Sequence, residues 1–250
     1  MIIKDSRVNT PHGNTILWRY MSLEKFIDLI ASNELFFTNA SKLTDKYEGT
    51  IPKKTYDAFK KQLTHQNITE EEMNLQLGLL KHQADSFREL TLVNCWTMNP
   101  YESYALWKIY LGGSRGGVAI RTTASKIKES FQLGGEEYDE DIFFSKIEYS
   151  DYIDDPNSRF LWITRKNKFY EFEEEARLFI FHYPKSEGGT SPPYRIRNGR
   201  RFKVDINKLI ERIYLSPFSP DWFAKSFNKT IEKLRPELLS LIHYSEIMDE

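Results

Sequence analysis

The chain has 250 residues, 40% of them apolar and 28% charged, and a formal net charge of −1, which is ordinary for a globular protein of one large domain or two small ones. Near-neutrality argues against strong non-specific affinity for nucleic acid, though it leaves room for a local basic patch. The single cysteine excludes a disulfide framework or a multi-cysteine zinc site, no apolar run approaches the ~18 residues of a membrane span, and the opening Met-Ile-Ile-Lys-Asp lacks the features of a secretory signal, so the expected compartment is the cytoplasm.

Residues 1–15, broken by Pro11, His12 and Gly13, read as a loose arm. Residues 16–20 form a short strand with Arg19 pointing opposite to Trp18 and Tyr20. Ser22 caps a helix whose Leu23, Phe26, Ile27 and Ile30 make one stripe, and Asn33 ends it. A second strand over 35–38 leads into the polar loop 39–49. Pro52 opens a helix to about residue 64, and the pair Thr69 and Glu72 is a capping box for another reaching about Phe87. These two charged helices look like an insertion over the core, spanning about 52–88.

Residues 92–96 read as a strand, and Asn99, Pro100 and Glu102 start a helix that Gly112 and Gly113 end, with Tyr104, Trp107 and Leu111 on its buried side. The run 112–117 is glycine-rich like a phosphate cradle, but it follows a helix and precedes a strand, the reverse of a P-loop; it reads as a turn allowing close backbone approach. A strand over 117–120, a short helix over 124–131, an acidic stretch over 134–141, a strand over 143–149, a loop over 151–157 and a helix over 158–168 follow. A long surface loop over 185–201 carries Arg195, Arg197, Arg200 and Arg201, the best basic patch. Asp205 caps a short helix, 213–216 is a strand, Pro220 opens a helix to about Leu234, and 236–250 is left as a tail. Short links between strands favour antiparallel pairing, so the expected class is α+β: a mostly antiparallel, split central sheet with flanking helices, in a single domain over 16–235.

The stretch 169–181 is the anchor of the functional reading. As one strand, which its Phe-Ile-Phe ending favours over the helix its glutamates also allow, it would put Glu171, Glu173, Glu175, Arg177 and Phe179 on one face, with Tyr170, Phe172, Glu174, Ala176, Leu178 and Ile180 on the other. Folding gains little from carboxylates so close together unless a cation lies between them. A charged sheet edge is the plain explanation. The chemical one is a Glu-x-Glu pair, Glu173 and Glu175, in which one carboxylate deprotonates a nucleophile and the other stabilises developing positive charge, while Arg177 keeps its neighbour ionised. Arg19 is either an edge charge or a bidentate phosphate clamp. Asp45 and Tyr47 offer a carboxylate and a phenol beside a turn, for which an ordinary capped turn is the alternative. Cys95, inside an apolar strand without a neighbouring histidine, reads as a buried inert thiol. The five histidines have no ligand spacing, so no transition-metal site is expected.

Taken in order, Trp18-Arg19-Tyr20, the strand 35–38, Asp45-Lys46-Tyr47-Glu48, Cys95-Trp96-Thr97, Glu102-Ser103, Trp107, Tyr110, Gly117-Val118-Ala119-Ile120, Lys166, Tyr170, Glu173, Glu175, Arg177 and 213–217 resemble the signatures of a widespread prokaryotic domain-of-unknown-function family over roughly 16–220. Thr44 and Lys46 replace that family's usual Asn and Pro, and Tyr170 replaces its usual Trp. More remotely, the order of elements is similar to ADP-ribosyltransferase-like folds. That resemblance implies NAD as a substrate, with Arg19 on its pyrophosphate or ribose, Thr38 and Tyr47 in the nicotinamide pocket, Tyr20, Asp45, Trp96 and Trp107 lining the cleft, and Glu175 or Glu173 on the ribose 2′-hydroxyl. It further implies a macromolecular target, protein or nucleic acid, a partner such as an antitoxin, and the role of a bacterial toxin or anti-phage effector. Two rival classes stand beside it: a non-catalytic nucleotide- or peptide-binding protein, and a Mg²⁺-dependent nuclease using Asp45, Glu173 and Glu175.

Overall fold

The computed structural model describes residues 2–45, 48–133, 140–182 and 198–247. In chain order the elements are β1 (Ile16–Ser22), α1 (Leu23–Ser32), β2 (Glu34–Asn39), α2 (Lys53–Thr64), α3 (Glu70–Glu89), β3 (Thr91–Met98), α4 (Tyr104–Leu111), β4 (Gly117–Thr123) and α5 (Ala124–Ser130). Then come β5 (Phe143–Lys146), β6 (Glu148–Tyr149), α6 (Arg159–Thr164), β7 (Arg165–Lys166), β8 (Glu175–Phe181), β9 (Gly199–Lys203), α7 (Ile206–Leu209), β10 (Arg212–Leu215), α8 (Asp221–Leu234) and β11 (Ile242–Tyr244).

Nine strands make one sheet in the order β11-β10-β4-β1-β3-β2-β9, with β8 and β5 branching from β3. Every pairing in it is antiparallel except β10 with β11, so the fold is α+β. The branch is what positions the site. Along one edge β3 pairs with β8 from Thr91 opposite Phe181 to Thr97 opposite Glu175. Its other edge is shared: β2 takes Leu92 and Val93, while β1 takes Thr97 and Met98. Asn94, Cys95 and Trp96 lie between, where the sheet splits. Asn94 Nδ2 donates to the Phe36 carbonyl at 2.9 Å and Trp96 Nε1 donates to Asn94 Oδ1 at 2.7 Å, so buried polar groups at the split are satisfied by side chains in place of a ladder.

Residues opposite one another in a ladder share a face. Leu17, Trp96, Ala176 and Leu178 therefore face the core packed by Phe26 and Ile30 of α1, Ile127 of α5 and Phe227 of α8. Val93 and Phe179 face the other way, against Phe87 of α3, Phe143 of β5, and Phe160 and Trp162 of α6. On that second side, beside β1, Trp107 of α4 packs edge-on against Tyr20 with ring centres 4.9 Å apart.

Local chemistry explains the ends of the elements. Thr69 and Glu72 close the capping box that opens α3, as their spacing predicts. Gly112 at φ +55° ends α4 in the left-handed conformation that favours glycine. At Gly117 a Cβ would lie 2.2 Å from Leu111 Cδ2, so the glycine turn does serve a close approach, that of a strand to the end of the preceding helix. Gly117→Ala is expected to lower stability by about 1–3 kcal/mol through overpacking, read as a lower denaturation midpoint at unchanged m-value.

Several expectations need correction. Residues 169–181 are not one strand: Lys168–Glu173 is a 3-10 helix, Glu174 turns at φ +41°, and the strand starts at Glu175. The cause is local. Asn167 Oδ1 accepts from the Phe169 amide at 3.1 Å, and the Glu174 amide closes on the Glu171 carbonyl at 3.0 Å. Phe169 and Phe172 point to solvent at 77% and 52% exposure, so their alternation with glutamates marks no sheet face. α4 begins at Tyr104 under a Ser103 cap, and Tyr104 is half exposed, not buried. The helix expected over 158–168 ends at Thr164, where the chain enters β7.

The expected tail forms β11, parallel to β10, after a 3-10 turn over Pro236–Leu241. The N-terminal arm runs beside β5, with the Ile3 amide on the Ile142 carbonyl at 3.0 Å and the Lys146 amide on the Asn9 carbonyl at 2.8 Å. Arg200 and Arg201 belong to β9 and pair with Glu140 and Asp28, so they form a neutralised strand edge and not a free basic patch. Tyr47, Arg195, Arg197 and most of the acidic stretch 134–141 lie outside the described residues. No helix among the described residues is long and apolar enough to cross a membrane.

Candidate functional site

Glu175 and Arg177 project from the same face of β8, opposite Thr97 and Cys95. Arg177 is wholly buried. Its Nε donates to Glu175 Oε1 at 2.8 Å, its Nη1 to the Ile163 carbonyl at 2.9 Å, and its Nη2 to Glu48. Glu48, itself buried, arrives from the loop ahead of α2. Lys166 of β7 completes the group, with Nζ 2.7 Å from Glu173 Oε2, 3.3 Å from Glu175 Oε2 and 3.6 Å from Glu48 Oε2. β7 is held there by its parallel pairing with β6, where Arg165 forms an ion pair with Glu148. The Tyr149 hydroxyl of β6 accepts the Glu175 amide at 2.7 Å. Three carboxylates and two cations are thus interleaved, all but Glu173 buried, which compensates the desolvation cost that lone buried charges would incur.

The environment separates the two glutamates of the Glu-x-Glu pair. Burial works to raise the Glu175 pKa, but Arg177 and Lys166 outweigh it and hold the carboxyl below its ordinary range. Burial also raises Glu173, and there Lys166 only partly offsets it while Glu175 and Glu48 add repulsion, so Glu173 ends above its ordinary value. Burial opposes the charged forms of Lys166 and Arg177 too; Glu175 and Glu48 prevail and keep both cationic. Two carboxyls driven apart in this way suit one fixed anion and one group that carries a proton. Burial and then Glu175 push the Cys95 thiol up, so it is no thiolate nucleophile.

Arg19 is the early-strand partner. It sits on the Leu17 and Met21 face of β1, with its guanidinium carbon 5.7 Å from the Trp96 ring centre. Its Nη1 is buried and has no hydrogen-bond partner among the described residues. Burial pushes its pKa down, while the neighbouring Cys95 and Tyr110 act the other way. Tyr110 of α4 is half exposed as a residue, yet its phenol is raised, by burial first and then by Cys95, Glu175 and Glu173, with Lys166 acting the other way. By register Glu175 lies opposite Thr97 and Thr97 opposite Trp18, so the carboxylates and Arg19 border the split from opposite faces of the sheet, with Cys95 and Tyr110 felt from both sides.

The other residues singled out in the sequence are not all brought there. Trp107 is fully buried with its Nε1 on Glu102 Oε2 at 2.9 Å, and Tyr20 is buried with its hydroxyl accepting the Ser103 amide at 2.7 Å; both pack α4 onto β1 and line no cleft. Trp96 is the buried plate beneath Arg19. Thr38 pairs opposite Val93, whereas Glu175 lies opposite Thr97, so about 13 Å of strand separates their stations on β3. Asp45 lies in the loop that delivers Glu48, its carbonyl accepting the Glu48 amide at 3.2 Å. Arg177, every nitrogen engaged and no surface exposed, braces the site and cannot touch a ligand. Among the described residues no three His, Cys, Asp or Glu side chains are grouped to hold a metal ion.

Glu48, Lys166 and Tyr149 were not singled out as site residues. Glu48 and Lys166 do fall within the early loop and late signature of the family resemblance, which is the signal that could have found them. No family model, no curated protein and no solved structure matches the chain.

Proposed function

We propose that the chain is an ADP-ribosyltransferase-like enzyme that binds NAD at the split of the sheet and transfers from it to a macromolecular acceptor. The observation that carries this reading is the buried Nη1 of Arg19, without a hydrogen-bond partner among the described residues, across the sheet split from a glutamate pair whose pKa values are driven apart, Glu173 up and Glu175 down. A guanidinium with donors to spare in a shielded place is suited to a pyrophosphate. NAD would supply the ribosyl–nicotinamide bond, which breaks with its electron pair leaving on nicotinamide. Glu173, whose side chain is 16% exposed, is the carboxylate an acceptor can reach, and it would take the acceptor's proton as the new bond to the ribosyl carbon forms. Glu175, with one oxygen on Arg177 and the other on Lys166, fixes the cation that positions Glu173. This gives the reactive role, which the sequence leaves open between the two glutamates, to Glu173.

A second reading has one observation in its favour. Arg177 and both oxygens of Glu175 are fully used inside the protein, as in a brace beneath a binding surface without turnover. A thermal-shift series tests binding of the ligand, and nicotinamide release from NAD separates the two readings: binding without release would favour the brace. A ligand present at a hundred times its dissociation constant stabilises the native state by about 2.7 kcal/mol. NAD and ADP-ribose are expected to raise the melting temperature and free nicotinamide to leave it unchanged. A rise with Mg²⁺ alone would favour the nuclease reading and count against this one.

A further inference from the structure

The outer face of α8 is organised in a way the buried site does not require. Phe223, Phe227 and Ile231 bury one side of the helix in the core. On the opposite side Trp222, Lys225, Lys229 and Lys233 are all exposed, Trp222 at 66%. At 3.6 residues per turn these four fall within an arc of about 80°, a straight stripe about 16 Å long. Among the described residues Lys225, Lys229 and Lys233 make no ion pair, unlike Lys53, Lys54 and Lys208, which are matched to Asp57, Asp151 and Asp205. By the same helical geometry Asp221 and Glu232 flank the stripe on the Lys225 side, about 40° and 20° beyond that lysine, and leave the Trp222 and Lys233 edge uniformly cationic.

Beyond the N-terminal end of α8, two further exposed cations continue the positive surface. Ser219 Oγ donates to the Arg115 carbonyl at 3.1 Å, and Lys108 Nζ lies 3.5 Å from the centre of the Phe218 ring. Both Arg115 and Lys108 are exposed. On a chain with a net charge of −1, a local run of unpaired cations aligned with an exposed indole is complementary to a polyanion that carries aromatic rings.

We propose that this face of α8 is a docking surface for single-stranded nucleic acid, the lysines meeting successive phosphates and Trp222 stacking on an unpaired base. A lipid surface fits less well. An interfacial helix inserts its apolar side into the bilayer, and here that side is committed to the core. Duplex nucleic acid would use the lysines but keep its bases stacked and out of reach of Trp222. The inference stands on the helix face alone and is independent of the chemistry assigned to the buried charges.

The test is fluorescence anisotropy of a labelled 20-nucleotide oligothymidylate titrated with the full chain at several salt concentrations. Saturable binding is expected, with log affinity falling against log salt at a slope of about −2 for three neutralised phosphates. Replacing Lys225, Lys229 and Lys233 together by Gln should flatten that slope, and Trp222→Ala should weaken single-strand binding roughly ten-fold while leaving duplex binding unchanged. All four side chains are exposed, so the melting temperatures of the variants should match the parent; Lys229→Gln alone serves if the triple variant does not fold. No saturable binding at low salt, binding unaffected by the triple substitution, or capture by phosphatidylserine vesicles without oligonucleotide binding would each overturn the proposal.

Discussion

Arg177→Met is expected to lower the unfolding free energy at neutral pH by about 3–5 kcal/mol, the effect of removing one partner from a buried charged network. Two anions, Glu48 and Glu175, lose their principal cation at once, and Lys166 alone cannot neutralise three carboxylates. Against a typical total of about 5–15 kcal/mol, that brings the domain close to its unfolding threshold. The pH dependence gives the mechanism a signature. In the parent, the lowered pKa of Glu175 contributes stability that is fully present above its ordinary value of 4.5 and is lost as pH falls through the lower folded value. In the variant, burial acts without Arg177, the folded pKa moves the other way, and protonation becomes favourable. The stability gap between parent and variant should therefore be widest near neutrality and narrow in acid. Urea denaturation of both proteins between pH 3 and 7 measures it. Adding Glu48→Gln to the variant should recover part of the loss, because one uncompensated anion is removed.

Glu173→Gln should lower the rate of NAD turnover by about 10²–10⁴-fold, the range for loss of a positioned acid–base group. Stability should change little by comparison, because Glu173 is the most exposed carboxylate of the group and its amide can still accept from Lys166. NAD affinity should stay near that of the parent, since the proposal gives that task to Arg19. Steady-state rates of nicotinamide release, measured together with an NAD binding curve, separate the two effects. An equal fall in affinity and rate would instead assign Glu173 to binding. Glu175→Gln gives a useful contrast. It weakens the anchor of both Lys166 and Arg177, so activity and melting temperature should fall together.

Elements whose signals are local were legible in the sequence. The capping box at Thr69, the Asn33 and Gly112 helix ends, and the β1 alternation that isolates Arg19 from Trp18 and Tyr20 depend only on neighbouring residues. The α+β class with a split sheet followed from the spacing of such elements. The 3-10 helix over Lys168–Glu173 escaped because Phe and Glu alternate there with a period of two, while the backbone conformation is set by the Asn167 cap and the turn at Glu174. β11 escaped because its only ladder is a parallel pairing with β10, a non-local contact that leaves no periodic trace in three residues.

The candidate site was half visible for the same reason. Glu173, Glu175 and Arg177 lie together in sequence and share the site, although not as one strand. Glu48 reaches Arg177 across 129 residues, and nothing in its own loop distinguishes a buried counter-ion from a capped turn. Tyr20 and Trp107 were conspicuous as aromatic and polar-tipped, yet each satisfies its polar tip within the core.

Titration calorimetry of NAD into the purified chain and into Arg19→Met tests the central claim most directly. The parent is expected to bind one NAD per chain, and the variant, folded and with a similar melting temperature, to lose measurable affinity. Absence of NAD binding by the parent, or equal affinity in the two proteins, would contradict the assignment of the sheet split as the site.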